Sequence, residues 1–213
     1  MAYRTSNVRI ERDKALREHI LHCALEQVAE GGFAALTMSG LARAANIATG
    51  SLYRYFPGKG ALAAEVFTRA SRIEVDCLRA QFTTGGTAAE RLRQGLALFV
   101  GRAWHSRQLA HALIVEPLDT QVDHERLVYR AAYADLFQKL IKQGNEDGSF
   151  QVENISVTAA CLVGAIAESL IGPLSPQARA LRERGLPSES LDNYTRALTR
   201  FCLRALGAKE SCK

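Results

Sequence analysis

The sequence predicts an all-α protein, a three-helix helix-turn-helix unit followed by a larger helical domain, about nine helices in total. Three observations carry this. Ala and Leu occupy 33 and 26 of the 213 positions, and both are strong helix formers. Gly (16) and Pro (5) together fall a little below the usual share and aromatics make up only 7%, which speaks against the closely spaced turns of a sandwich or barrel. Apolar residues then recur at three- and four-residue spacing along most of the chain, the period of an amphipathic helix. A chain of this length buries a sizeable core without disulfides or a metal.

Taken in order, residues 9–31 read as one amphipathic helix with Leu16, Ile20, Cys23, Ala24 and Val28 on its inner stripe, stopped by Gly31 and Gly32. Thr37 is placed to cap a short second helix that turns Leu41, Ala42 and Ala45 inward. Asn46 follows it, a residue that tolerates the left-handed conformation at a helix end. Thr49-Gly50-Ser51 opens a third short helix carrying Leu52 to Phe56, broken by Pro57-Gly58, and a longer helix spans 59–82 with Leu62, Val66, Phe67, Ala70, Ile73 and Cys77 inward. Gly85-Gly86 is the next break. Thr87 and Glu90 then form a capping box for a helix to about residue 104, a short helix covers 107–115, and Asp119 or Thr120 starts a long one to about 144. Asn154 caps a helix over 155–171, Pro173 and Pro176 end it, a charged linker follows, and a last helix spans about 190–206.

The charge is unevenly placed. The formal net charge is +5. Between Glu30 and Glu65 there is no acidic residue, while Arg43, Arg54 and Lys59 make that stretch +3. Residues 4–17 carry Arg4, Arg9, Arg12, Lys14 and Arg17 against Glu11 and Asp13, another +3. An acid-free face suits an anion such as a DNA backbone, which repels carboxylates over its whole contact. Two short helices joined by a tight turn fit the same partner, since uncapped N–H groups and the helix dipole at the starts of the second and third helices favour phosphate. Thr37, Ser39, Thr49 and Ser51 supply hydroxyls there, Gly50 permits close approach, and Tyr53, Arg54 and Tyr55 project from the third helix. Any one of these residues is also what a helix cap or a half-buried aromatic looks like; the spacing of the set is what points to DNA.

That set, Ile20-Leu21-x-x-Ala24, Gly31-Gly32-Phe33-x-x-Leu36-Thr37, Leu41-Ala42-x-x-Ala45-x-Ile47 and Gly50-Ser51-Leu52-Tyr53-x-Tyr55-Phe56-x-x-Lys59-x-x-Leu62, resembles the amino-terminal domain of tetracycline-repressor-like (TetR-family) transcriptional regulators over roughly residues 12–66. The resemblance implies a homodimeric regulator of transcription, most often a repressor that a small ligand releases from a near-palindromic double-stranded DNA operator. It implies a DNA-binding domain at 1–58 and a ligand-binding and dimerisation domain at 59–213. DNA contacts are implied for Thr37, Ser39, Thr49, Gly50, Ser51, Tyr53, Tyr55 and Lys59. Arg54 is the candidate base reader, through a bidentate pair with guanine, with a phosphate contact as the alternative. Gly40 departs from the pattern, where a longer side chain is common.

The helix at 155–171 is apolar nearly all round and so is expected to be covered on opposite sides, by its own core and by a partner's matching helix, the alternative being a helix wholly buried within a monomer. In the family, the last two helices form a four-helix dimer interface, which here implies Ala160, Val163, Gly164, Ala167, Tyr194, Leu198 and Phe201. In the family the central helices enclose an effector, which here implies candidate polar contacts at Trp104, His105, His111, Glu116, Tyr129, Tyr133 and Glu168, the last with a solvent-reached edge of its helix as the alternative. No cofactor is expected. The histidines lack zinc-site spacing, so no metal is expected either. Five scattered cysteines without a Cys-x-x-Cys pair suit a reducing cytoplasm. The longest uncharged stretch is the 14 residues 154–167, too short to span a bilayer. An enzyme built on a pocket pair of His111 with Glu116 or Glu168 is the alternative from another class, and nothing supplies its nucleophile. A helical scaffold without DNA binding leaves the acid-free segment unexplained.

Overall fold

The computed structural model describes residues 2–117 and 120–208, with side chains from Asn7 onward; the expected cap Asp119 and Cys212 lie outside the described residues. Ten helices occur among those residues and no strand: α1 (Ala2–Ala35), α2 (Met38–Ala44), α3 (Thr49–Leu52), α4 (Lys59–Phe82), α5 (Ala88–His105), α6 (Arg107–Val115), α7 (Thr120–Glu146), α8 (Ile155–Leu174), α9 (Pro176–Glu183) and α10 (Leu191–Ala205).

The local signals act as their chemistry dictates. Gly32 sits at φ 73°, ψ −177° and breaks α1, after which one more turn runs to Ala35. The Thr37 hydroxyl accepts the Gly40 N–H at 3.1 Å, capping α2. Asn46 adopts φ 54°, the only positive φ among the described non-glycine residues. In the α5 capping box the Glu90 carboxylate accepts the Thr87 N–H at 2.8 Å while the Thr87 hydroxyl accepts the Glu90 N–H at 3.3 Å. Asn154 and Ser190 cap α8 and α10 through the N–H groups of Val157 and Asn193.

Four expectations need correction. The third helix is only Thr49–Leu52; Arg54 and Tyr55 follow in turns closed by hydrogen bonds to Ser51 O (3.3 Å) and Leu52 O (2.9 Å). Pro57 disfavours helical backbone at Phe56, so the turns after Leu52 do not run on as helix into α4. Ile73 is 42% exposed rather than inward. α8 does not stop at Ile171 but runs through Pro173 to Leu174. The supposed linker after it is a helix, α9, started by Pro176 in its first turn and by the Ser175 hydroxyl, which accepts the Ala178 N–H at 3.1 Å. α9 has no buried residue, so no apolar stripe announces it.

Two apolar clusters organise the chain. The first joins Ile20, Ala24, Val28, Phe33, Leu36, Leu41, Leu52 and Phe56 of the amino-terminal segments to Leu62, Val66 and Phe67 of α4. It also takes in Ala112 of α6 and Val122 of α7. The second joins Val75, Leu78 and Phe82 of the same α4 to α5, α7, α8 and α10. Each fully buried Leu or Phe contributes roughly 1.5–3 kcal/mol of transfer free energy. Packing therefore continues across residue 58, with α4 as the beam common to both cores.

α8 takes the uncharged stretch across Glu168 into a 20-residue helix, long and apolar enough by length and composition to cross a membrane (mean hydropathy 1.8). Ala159, Leu162, Ile166, Leu170 and Leu174 form its buried stripe within the second core. Val157, Ala160, Cys161, Gly164 and Glu168 form an exposed one.

Candidate nucleic-acid interface and ligand chamber

The helix-turn-helix presents its polar residues outward. Thr37, Ser39, Thr49, Gly50, Tyr53 (53% exposed), Arg54 and Lys59 are all exposed, and Ser51 is half-buried. α3 begins after Ala48 with no side-chain cap, which leaves its first N–H groups available to an oxygen ligand. A Cβ on Gly50 would meet nothing within 4 Å, so a backbone can approach there. Leu52 and Phe56 anchor this segment in the core beneath it. Tyr55 is placed differently from its neighbours: half-buried, its hydroxyl donates to the Asp13 carboxylate at 3.2 Å and ties the segment to α1. The Arg54 guanidinium lies 6.0 Å from the Tyr55 ring centroid. Gly40 also finds a reason, because a Cβ there would come within 2.7 Å of the capping Thr37 hydroxyl.

Among α4 to α8 lies an apolar chamber with a cavity volume of about 120 Å³, open to solvent at its mouth. Phe67, Leu78, Leu96, Phe99, Leu113 and Phe137 are among its walls, with α4, α5, α6, α7 and α8 all contributing. Its polar lining is sparse: Ser71, Glu74, Arg102, Ser106, Arg126, Tyr129, Arg130 and Tyr133. Glu74 and Arg102 neutralise each other through two hydrogen bonds of 2.7 Å. That pairing is the largest influence holding the Arg102 guanidinium protonated. Burial pushes the Tyr133 and Tyr129 hydroxyls up from the ordinary phenol range, keeping both as donors.

Only Tyr129 and Tyr133 of the expected effector contacts line this chamber. Trp104 is buried against Tyr194, ring centroids 5.3 Å apart. His105 is exposed, its Nδ1 2.6 Å from the Gly101 carbonyl. His111 is half-buried on α6, outside the chamber lining, and Glu168 lies on the exposed stripe of α8. Glu116 does something else. Just past the end of α6, its two carboxylate oxygens accept the Phe33 N–H (3.0 Å) and the Ala34 N–H (2.8 Å), groups freed by the break at Gly32.

Arg126, unremarked in the sequence, connects this latch to the chamber. It lines the chamber, donates to the Glu116 carbonyl at 2.8 Å and to the Leu113 carbonyl at 3.3 Å, pairs with Asp123 at 2.7 Å, and lies 5.8 Å from the Phe67 ring centroid. Burial is the main influence lowering its proton affinity. Phe67 in turn touches Phe33 (6.4 Å) and Tyr129 (6.2 Å) ring to ring. One contiguous set of contacts thus runs from the chamber wall to the core under the helix-turn-helix.

The expected dimer residues divide. Ala160, Gly164 and Phe201 (53% exposed) are bare. Val163 and Ala167 instead line the chamber, Leu198 is buried in the chain's own core, and Tyr194 stacks on Trp104 and hydrogen-bonds Ser169 at 2.7 Å. In a helix apolar on every side, the sequence gives no phase by which to assign faces.

Residues 20–66 match the family described as bacterial regulatory proteins, tetR family, and residues 85–170 match the tetracyclin repressor-like C-terminal domain. The HTH-type transcriptional repressor KstR of Mycolicibacterium smegmatis is 37% identical over 83 residues, 38% of this chain and 40% of that protein's length. The fold is similar to that of the fatty acid degradation regulator FadR from Bacillus halodurans (TM-score 0.72, 19% identity, 91% of this chain and 97% of that one). It is also similar to FadR from Bacillus subtilis in complex with stearoyl-CoA (TM-score 0.70, 15% identity, 88% and 98%). With one match on the helix-turn-helix and a second on the chamber-bearing helices, this chain belongs to the tetR family of bacterial regulatory proteins.

Proposed function

We propose that the chain is a homodimeric transcriptional repressor that holds a near-palindromic operator and releases it when an apolar-bodied ligand enters the chamber. The observation that carries the reading is the contact path from chamber to helix-turn-helix through Arg126, Glu116 and Phe67. Thr37, Ser39, Thr49, Gly50, Ser51, Tyr53 and Lys59 serve as the phosphate-facing surface, Arg54 reaches a base edge or a phosphate, and Tyr55 braces the segment against α1. Ala160, Gly164 and Phe201 serve as the partner-facing surface. A Cβ at Gly164 meets nothing within 4 Å, room that a second helix fills. The chamber's walls select an apolar body, and the stearoyl-CoA held by the Bacillus subtilis FadR supports long acyl chains as the first compounds to try. A ligand acts only to the extent that it favours one of two dimer geometries.

The test is selection of genomic DNA fragments by the purified protein at several salt concentrations. A palindromic site with half-sites about 34–36 Å apart is expected, with release on adding stearoyl-CoA or a free long-chain acid. Retention of DNA without an enriched palindrome would sink the repressor reading.

A further inference from the structure

The side chains by which α7 lines the chamber follow one stripe: Arg126, Tyr129, Arg130, Tyr133 and Phe137. They recur at three- and four-residue steps, the spacing of a single helix face. Along the stripe the chemistry changes in order. Phe137 is buried in the second core, Tyr133 and Tyr129 are half-buried, and Arg130 is exposed, so Arg130 stands where the chamber opens to solvent. Between Arg130 and Phe137 the helix rises about 10 Å.

Of the arginines lining the chamber, Arg102 is held by the Glu74 carboxylate. Arg126 pairs with Asp123 and donates to the carbonyls of Leu113 and Glu116. Arg130 forms no ion pair among the described residues. The carboxylates nearest to it along α7 are engaged elsewhere: Asp123 with Arg126, Glu125 with the Thr68 hydroxyl, and Asp135 with Lys139. One turn before Arg130, where a helix would place a stabilising acid, stands the like charge of Arg126. The chamber thus offers apolar walls, two phenol donors and, at its mouth, a guanidinium with no anion against it.

We infer that Arg130 anchors a carboxylate of the effector, which is therefore an anionic amphiphile that enters apolar end first. Its hydrocarbon lies along Tyr133 and Phe137, and its carboxylate stays at the mouth. A guanidinium presents a planar fork that matches a carboxylate with two parallel hydrogen bonds. Because Arg130 is exposed, the pair forms without the cost of a deeply buried charge. An alcohol with the same hydrocarbon has no charge to place there. This rests on the ligand-chamber reading above, and the experiment separates the two.

The full-length protein is titrated calorimetrically with octanoate, octanol and acetate, the octyl body being chosen to run along the stripe from Arg130 to Phe137. Octanoate should bind about tenfold tighter than octanol, and acetate far more weakly than octanoate. Arg130→Gln should abolish the preference for the acid, and Arg130→Lys should keep part of it. Arg130→Glu should reverse it, so that octylamine binds more tightly than octanoate. The exposed position of Arg130 lets all three variants fold, and the reversal is a gain that a merely damaged chamber would not produce. Equal binding of octanoate and octanol, or a preference that survives Arg130→Gln, overturns the anchor and leaves the chamber standing. Acetate binding as tightly as octanoate overturns the link to the chamber. Failure of both octyl compounds to bind overturns the chamber reading as well.

Discussion

Replacing Glu116 with Ala tests the latch between the two cores. The carboxylate accepts two backbone N–H groups, at 3.0 and 2.8 Å. A hydrogen bond to a charged group contributes about 1.5–3 kcal/mol net. The Ala34 N–H is exposed, so water replaces most of its bond; the bond to Phe33 N–H is part-buried and counts nearly in full. The loss is therefore about 2 kcal/mol, which for a chain of this size lowers Tm by about 4–8 °C. Glu116→Gln retains one acceptor but turns an NH₂ toward a backbone donor, and should fall between. A thermal melt followed by circular dichroism gives the first number. Operator release gives the second, because this carboxylate is one of the links, beside the Phe67–Phe33 contact, through which a ligand in the chamber would be felt at α1. Glu116→Ala should bind operator yet respond less to ligand. A Tm within about 1 °C of the parent, together with an unchanged ligand response, would refute the latch.

Other substitutions probe neighbouring claims. Gly32→Ala forces a side chain to φ +73° and brings its Cβ within 2.6 Å of the Glu116 carboxylate, so it should destabilise at least as much as Glu116→Ala in the same melt. A Cβ at Gly144 would lie 1.9 Å from the buried Phe150 ring; Gly144→Ala should cost about 1–3 kcal/mol or more, read as a lower midpoint in urea. Tyr53→Ala and Lys59→Ala should weaken binding to all DNA sequences alike, Lys59→Ala reducing the salt slope by about 1, whereas Arg54→Ala should relax preference at one base position if it reads an edge, both seen in fluorescence-anisotropy titrations. Burial pushes the Cys202 thiol up to about 12, so mass spectrometry after maleimide treatment of the native protein at pH 8 should find it unmodified. Cys161, exposed on α8, should react in dilute protein and be shielded as the dimer forms. Faster labelling of Cys202 than of Cys161 would contradict this packing.

What was legible in the sequence had local causes. Thr87 with Glu90, Asn46 before the third helix, and Lys59 after Pro57-Gly58 each act within one helical turn, and the structure has the elements they announce. α9 had a local signal too, Ser175-Pro176, but lacked the apolar stripe that gives such a signal weight. The acid-free stretch marks the surface proposed to meet an anion, and the structure shows only that most of its polar residues are exposed. Glu116 was visible only as a carboxylate near apolar neighbours. Its partners are backbone N–H groups 82 and 83 positions away, and a backbone donor is the same at every residue. No sequence pattern could have named them.

α8 shows the harder limit. A helix that is apolar on one side fixes its own rotation, because only one side can be buried. α8 is apolar nearly all round, and burial alone ranks its rotations about equally. The choice falls to neighbours far along the chain: Phe99 and Tyr133, which pack ring to ring at 5.8 Å, line the chamber with Val163 and Ala167, while Gly164 and Ala160 are left outside. The same helix thereby carries a chamber wall on one side and a bare surface on another, with only about a third of a turn or less between them. Anything that fills the chamber presses on Val163 and Ala167 and so on the helix whose outer residues are proposed to face the partner. Ligand occupancy and dimer geometry are then coupled through the thickness of one helix, while Arg126 and Glu116 couple the same chamber to α1. A ligand that shifts α8 without disturbing Arg126 should change dimer geometry alone, and one that also displaces Arg126 should free the helix-turn-helix.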